Sequence, residues 1–409
     1  MLKARLIMCN YKCTIGSHTN SDLSNLLFEN RNFFTGPRMG LEIDDNYQTL
    51  YQRLNEHSLD GDPLDIAWYR FKLCADSGLL LHCVPSEFGG HEDSFLSMCS
   101  AFESLGFHVR DPGLIVSIHA HLWGCVFPIM MYGTEEQKQK YLPGLLNGET
   151  LGAYAFSEPQ SWTKAVEMKA TAVLDEKNKK QYVLNAHKRF IVNTPISQLQ
   201  LVYACVDGMV TAFILDESDE GVELMDMVAT EGFITASMGD LMVTDCRLDA
   251  SRILGEIGEG KEMIRFTREM ERVFMFAGLV GVLKWQLEEI SVYVKSKKMS
   301  QQSLAKFQTV DHKISEMRVR LDTMRLWVNH CATLKDNQEQ ITLPSAEAKI
   351  YCSESYLKST LEAMELVGAI GLASDDFLIQ SILDAMASKF ISGSVPYQKD
   401  IIAKHLGLG

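Results

Sequence analysis

No stretch of the chain approaches the roughly 20 uninterrupted apolar residues that a helix needs to span a bilayer, so no membrane span is expected. The opening Met1 to Cys13 is too short and mixed for a signal peptide, and no small-residue cleavage site follows it. A cytoplasmic location is the expectation. Positive charge is scarce: 39 Lys and Arg stand against 53 Asp and Glu, and the net charge of −14 argues against nucleic acid as a partner. A local basic patch for an anionic ligand stays open. The ten cysteines form no Cys-x-x-Cys pair, which argues against a zinc ribbon or a disulfide framework. Cys9 and Cys13 are the nearest two and read as unrelated reduced thiols. No metal-ligand set stands out. His119 and His121 are two apart and would point to different sides of a helix. There is no Ser-His-Asp order, no Gly-x-Gly-x-x-Gly after a strand, no internal repeat and no low-complexity run.

What is present is an ordinary globular composition, 46% hydrophobic and 22% charged, on a length that suits two or three packed domains. Residues 1–44 read as an irregular extension rich in Asn, Ser and Thr, with a breaker at Thr35-Gly36-Pro37. From 45 to 150 the apolar period is helical. Asp62-Pro63 starts one helix, with Ile66, Tyr69, Leu73 and Leu79 to Leu81 on its buried side. Thr134 and Gln137 form a capping box for another, which Pro143-Gly144 should break. Between 151 and 254 the apolar runs become short and β-branched or aromatic, separated by turns such as Asp207-Gly208, which predicts an antiparallel β domain. From 255 to 409 long helical patterns return near 262–297, 308–336, 344–367, 376–390 and 396–406, as in a four-helix bundle. The fold class is therefore α+β, helices flanking a sheet domain.

Architecture alone fixes no chemistry; local sequence does more. Leu79-Leu80-Leu81 leads to Pro85-Ser86-Glu87-Phe88-Gly89-Gly90. Tyr132-Gly133-Thr134-Glu135-Glu136-Gln137-Lys138 leads to Tyr141-Leu142-Pro143 and Gly148-Glu149. Two further segments are Tyr154-Ala155-Phe156-Ser157-Glu158-Pro159 and Lys188-Arg189-Phe190-Ile191-Val192-Asn193, and Phe307-Gln308 follows later. Together these resemble the motifs of the acyl-CoA dehydrogenase family over about residues 60 to 406. The early half is highly specific and the C-terminal half loose.

The resemblance implies a bound FAD and removal of two hydrogens beside a thioester. A base takes the α-proton and the flavin accepts the β-hydride. Tyr154, Phe156 and Ser157 would line one side of the ring, and Phe190, Ile191 and Val192 the other. Val192 has no hydroxyl, so any bond to the flavin N5 would come from backbone N–H. The family's usual glutamate near the C-terminus is replaced by Ser392, within Ile391-Ser392-Gly393-Ser394. Serine cannot be that base unaided, although its backbone N–H can still serve the thioester oxygen. A branch that includes isovaleryl-CoA dehydrogenase carries its base on the first bundle helix, and Glu271, in Arg268-Glu269-Met270-Glu271-Arg272, matches that position. The bland alternative is a solvated glutamate paired with Arg268 or Arg272, but Val273 to Ala277 make the helix apolar nearly all round.

Other positions depart from the family pattern. Its glycine-rich segment becomes Gln160-Ser161-Trp162-Thr163-Lys164, where Trp162 and Thr163, with Arg272, are expected to contact substrate. Lys297 stands in the arm that reaches a neighbouring subunit, where it can meet a phosphate only as a point charge. Glu365, in the segment that runs on to Gly368, would face a pyrophosphate unfavourably unless a lysine lies between. Ser394 is expected near the cofactor. Trp162 and Phe156, with Ser392 and Ser394, suit a small polar acyl unit, carried on CoA or, as in relatives from natural-product pathways, on an acyl or peptidyl carrier protein. An electron-transfer partner or O₂ would reoxidise the flavin, and a homodimer or homotetramer is expected. Two alternatives stay open: a flavin-dependent monooxygenase on the same fold, and a degenerate subunit that only binds a partner.

Overall fold

A computed structural model describes residues 47–56, 61–160, 168–228, 230–372 and 377–408. The expected N-terminal extension, Cys9, Cys13, Trp162, Thr163 and Lys164 lie outside the described residues. The first helices are α1 (Gln48–Glu56), α2 (Pro63–Asp76), α3 (Phe95–Val109), α4 (Pro112–His121), α5 (Phe127–Tyr132) and α6 (Glu135–Leu146). Asp62 caps α2 by accepting from the Leu64 N–H. Ile66, Leu73, Leu79 and Leu80 are buried, but Tyr69 is exposed, because it sits off the apolar stripe of its helix. The Thr134–Gln137 capping box forms at the start of α6. The Gln137 side chain also donates to the carbonyls of Ser251 and Ile253, which joins α6 to the sheet domain. Pro143 does not end α6. It lies in the last turn, where its carbonyl still accepts from Asn147 and the helix reaches Leu146.

Pro112–Tyr132 is long and apolar enough to cross a membrane by length and composition, but 89% of its most apolar window is buried inside the fold. Between α4 and α5 this stretch winds as a π-helical segment, Leu122–Val126. Such widened turns occur often at functional sites.

The strands are β1 (Gly152–Ala155), β2 (Thr171–Leu174), β3 (Gln181–Val192), β4 (Leu199–Val206), β5 (Met209–Asp216), β6 (Val222–Met227), β7 (Met238–Asp249) and β8 (Ile253–Leu254). They form one eight-stranded sheet in the order β6-β7-β3-β2-β4-β5-β8, with β1 also on β4. The sheet is mixed and not antiparallel throughout, since β4 pairs in parallel with both β1 and β2. β1 enters straight from the helical domain and runs alongside β4, where no hairpin constrains its direction.

Helix α7 (Gly260–Ser296) opens the C-terminal part. A short hairpin, β9 (Lys298–Met299) with β10 (Gln302–Ser303), leads to α8 (Gln308–Asp336), α9 (Thr342–Val367), α10 (Phe377–Ala387) and α11 (Val395–His405). Every residue of α7 from Thr267 to Leu283 is buried. α7 crosses α3 so closely that a Cβ on Gly106 would lie 1.9 Å from the Gly278 carbonyl oxygen. α3 needs glycine at 106, and α7 needs it at 281, where a Cβ would lie 2.0 Å from the Glu103 carbonyl oxygen.

Candidate active site

Glu271 sits in the fully enclosed part of α7, only 8% exposed. Its carboxylate accepts a 2.9 Å hydrogen bond from the Ser392 hydroxyl, which reaches it from the turn between α10 and α11. That turn is held in an unusual shape. Ser392 has φ +55 and Gly393 φ +94. The Gln398 amide on α11 donates to the carbonyls of both residues, at 3.3 and 2.9 Å. The serine hydroxyl is therefore aimed by a braced backbone.

Burial pushes the Glu271 carboxyl up to about 7, against the opposing pull of the Ser392 hydroxyl and the charges of Arg268, Lys349 and Arg272. No ion pair holds Glu271 among the described residues. Glu269, two residues earlier, is different: Arg265 bonds it at 2.7 Å and the Thr342 hydroxyl at 2.5 Å. One glutamate is neutralised by its neighbours and the other is held in reserve.

Three cations surround this carboxylate. The Arg268 guanidinium lies 4.7 Å over the Phe156 ring and 5.3 Å over the Tyr397 ring. Arg272, 2% exposed, donates from Nε to the Arg268 carbonyl at 2.8 Å, and burial draws it down to about 10. Its Nη1 has no hydrogen-bond partner among the described residues. Lys349 on α9 is fully buried, donates to the Ser388 carbonyl at the end of α10, and is drawn down to about 7 by burial. A buried carboxylate near neutrality, bonded to a hydroxyl and free of an ion pair, has the properties of a general base in a dry site.

The two early motif segments meet. Arg189 N–H donates to the Ser157 carbonyl at 3.0 Å. Lys188, fully buried, bonds the Glu158 carboxylate at 2.8 Å and the Phe156 carbonyl at 3.2 Å. Burial of Glu158 favours its neutral form, but the Lys188 charge and the N–H groups of Lys169 and Ala170 outweigh it and lower its pKa. A register shift between Lys188 and Ile191 breaks β3 there. Phe190 takes φ +55 and its N–H turns to the Asp240 carboxylate at 3.2 Å. Asn193, at φ +72, ties the strand end to α4 and β1 through the carbonyls of Ser117 and Gly152.

Side-chain directions refine the expected lining. Tyr154 is half-buried, edge-on to Tyr203 at 6.1 Å. It packs against the π-helical turn, where a Cβ on Gly124 would come within 2.6 Å of the Tyr154 Cβ. Phe156 is buried, with the Arg268 guanidinium over one face of its ring. Ile191 points into the sheet core beside Leu184 and Leu241, because strand neighbours alternate faces; its backbone alone is available to a ligand. Val192 faces the other way and packs against a small cluster of Val116, Phe233, Ala236 and Met238, which Ile391, next to Ser392, also covers. Ser157 is half-buried, and Ser394 stands at the N-cap position of α11, in the same turn as Ser392, without a side-chain capping bond.

Lys297, Glu365 and Gly368 are not in this cluster. Lys297 caps the far end of α7, 26 residues beyond Glu271, or roughly 39 Å along a helix. Gly368, at φ +75, ends α9 facing open space. Glu365 is bonded by Lys313, so a lysine does neutralise it. His119 and His121 are packing residues: His121 bonds the Leu145 carbonyl and the Gly152 N–H, and His119 accepts from Trp123. Sequence reasoning missed Lys349 and the π-helical turn. Lys349 stands in Ala346-Glu347-Ala348-Lys349, a pattern indistinguishable from a solvated helix face.

A buried carboxylate where a bundle helix meets a sheet domain, with a further helical domain leading in, suits an enzyme that takes a proton from its substrate. The comparisons with known proteins narrow it. Family models for the N-terminal, middle and C-terminal domains of acyl-CoA dehydrogenase match residues 51–149, 153–246 and 258–407. The chain belongs to the acyl-CoA dehydrogenase family. It is similar to an L-prolyl-[peptidyl-carrier protein] dehydrogenase of Pseudomonas fluorescens, 28% identical over 83% of this chain and 90% of that one. It is also similar to the mitochondrial isovaleryl-CoA dehydrogenase of Solanum tuberosum, 28% identical over 82% of each. Among solved structures, the prolyl acyl carrier protein oxidase AnaB superposes with a TM-score of 0.84 at 32% identity, covering 90% of this chain and 100% of that one. PigA with FAD and proline gives 0.83 at 27% identity, over 91% of this chain and 99% of that one.

Proposed function

We propose that this protein oxidises a short, polar acyl thioester at its α,β-carbons, on a carrier protein or on CoA, with Glu271 as the base and FAD as the cofactor. The carrying observation is the Glu271 carboxylate: buried, bonded to Ser392, raised toward neutrality and in no ion pair among the described residues. The likeness to carrier-protein prolyl dehydrogenases favours a carrier-bound substrate. The small polar surroundings of Ser392 and Ser394 favour a short acyl unit.

The residues present fit a flavin. The β3 bulge at Phe190 presents backbone out of the sheet, and buried Arg272 Nη1, Thr194 Oγ1 and Gln398 Oε1 lack partners, among the described residues, that a polar ligand can supply. Tyr154, Phe156, Ser157, Phe190, Val192 and the Ile191 backbone would hold it from one protomer, with Ser394 near the cofactor. Lys297, Glu365 and Gly368 lie too far along the bundle for the same protomer's site and suit the site of a neighbour, which implies a homodimer or homotetramer. Bound FAD supplies a hydride acceptor. Glu271 takes the α-proton onto its carboxylate, and the Ser392 hydroxyl orients it. The Ser392 backbone N–H and the Arg272 guanidinium would stabilise charge developing on the thioester oxygen. The acceptor that reoxidises the flavin is an electron-transfer partner or O₂, and the cytoplasm is the proposed location.

The test is anaerobic bleaching of the FAD-loaded protein by hydroxyacyl- and aminoacyl-carrier thioesters against butyryl- to palmitoyl-CoA. Rapid bleaching by the short polar carrier substrates is expected. Bleaching by fatty acyl-CoA alone would overturn the substrate assignment.

A further inference from the structure

We propose that His82, His91 and Asp93 form a binding site for one divalent metal ion of the zinc type, in the helical domain and separate from the Glu271 site. One ligand atom of each of the three residues lies within 4.8 Å of the others. All three come from a single loop after α2, and that loop is firmly folded. His91 N–H donates to the Leu81 carbonyl at 3.0 Å and Glu92 N–H to the Val84 carbonyl at 2.9 Å. Cys83 and Glu92 take positive φ to bring the two ends of the loop together.

The donor set is two imidazole nitrogens and one carboxylate oxygen, which suits zinc with a fourth position open to water or a ligand. His82 is buried, and its Nε2 meets the Tyr47 hydroxyl at 2.8 Å. The His82 Nδ1 also hydrogen-bonds the Asp93 carboxylate, with Nδ1–H donating and Nε2 accepting from Tyr47; a metal ion on Nδ1 would replace that proton and turn Nε2–H to donate to Tyr47. An outer hydrogen bond that fixes the ring in this way is the usual support of a metal-bound histidine. A proton can fill the same gap, giving a Tyr-His-Asp relay, but a relay leaves His91 unexplained. The His91 ring stands edge-on to His82 at 5.3 Å, is exposed, and makes no side-chain hydrogen bond among the described residues. Asp93 is half-buried and has no Lys or Arg partner among the described residues. The Cys83 N–H, at 2.7 Å, and the Ser97 hydroxyl hold its carboxylate in place, and His82 is its one ion-pair partner among the described residues. A third ligand at the same point favours a metal ion over a proton alone.

The experiment uses the FAD-loaded full chain, stripped with EDTA and titrated with ZnCl₂ by calorimetry, and with CoCl₂ by visible absorption. One equivalent should bind with a dissociation constant on the order of 1 μM or tighter. His91→Ala and Asp93→Asn should each weaken it at least about tenfold, and His330→Ala, at a histidine elsewhere in the fold, should not. His91 is exposed, so His91→Ala keeps the fold, which its melting temperature without metal checks. Absence of saturable binding, or equal binding by His91→Ala, would overturn the site and leave the relay.

Discussion

Glu271 is kept protonated by its burial until about pH 7, whereas a glutamate in the unfolded chain ionises near 4.5. Its folded pKa is raised, so the folded state holds the proton more tightly. The stabilisation is fully present below about pH 4.5 and is lost as pH rises through 7. Ionising this carboxylate at pH 8 then costs the fold about 3 kcal/mol. Glu271→Gln should melt several degrees higher than the parent at pH 8 and at nearly the same temperature at pH 4.5. A variant that is inactive yet more stable at alkaline pH would separate the base from an ordinary structural glutamate. Ser392 works in the opposite sense, because its hydrogen bond lowers the Glu271 pKa. Ser392→Ala should move the acidic limb of the rate profile upward by about one pH unit, read from kcat/KM between pH 5 and 9. The candidate base was legible through the resemblance to the isovaleryl-CoA dehydrogenase branch, and the apolar residues after it predicted its burial. The positions of Arg268 and Lys349 around it were not, since nothing in a helix pattern tells a buried cation from a solvated one.

At the level of elements, the motif residues that look like cofactor contacts are partly struts. Glu158 and Lys188 form a buried pair that locks the segment after β1 to β3. Lys188→Met would strand the Glu158 carboxylate and should cost about 3–5 kcal/mol in urea unfolding, with weaker flavin retention. The π-helical turn has its own support: the Thr267 hydroxyl on α7 donates to the Trp123 carbonyl at 2.9 Å. Thr267→Val should lose about 1 kcal/mol and disturb Tyr154 through the Gly124 contact, which flavin fluorescence would report. Helix spans were readable from apolar period and caps, as Asp62 and Thr134 illustrate. The end of α6 was misjudged because proline in a last turn removes little. The mixed character of the sheet was hidden because a four-residue strand such as β1 carries no signal of its direction.

Across the whole molecule, the Gln137 side chain joins the leading helices to the sheet domain by bonding two carbonyls at 2.9 and 2.8 Å. Gln137→Leu should lower the melting temperature by a few degrees through the carbonyls it leaves unmet. At the other end, Lys297 lies roughly 39 Å along α7 from Glu271 of the same chain. Lys297→Ala should weaken FAD binding while leaving the Glu271 rate profile in place, which fits a residue that serves a neighbour's site.

The most direct measurement is stopped-flow flavin reduction by a bound thioester, with the parent and Glu271→Gln compared at saturating substrate from pH 6 to 9. The expected result is that the variant binds substrate, shifting the flavin spectrum, yet reduces the flavin at least about 10³-fold more slowly, while the parent's rate rises toward a plateau above pH 7. Reduction of the variant at the parent's rate, with the same pH dependence, would contradict the assignment of Glu271 as the base.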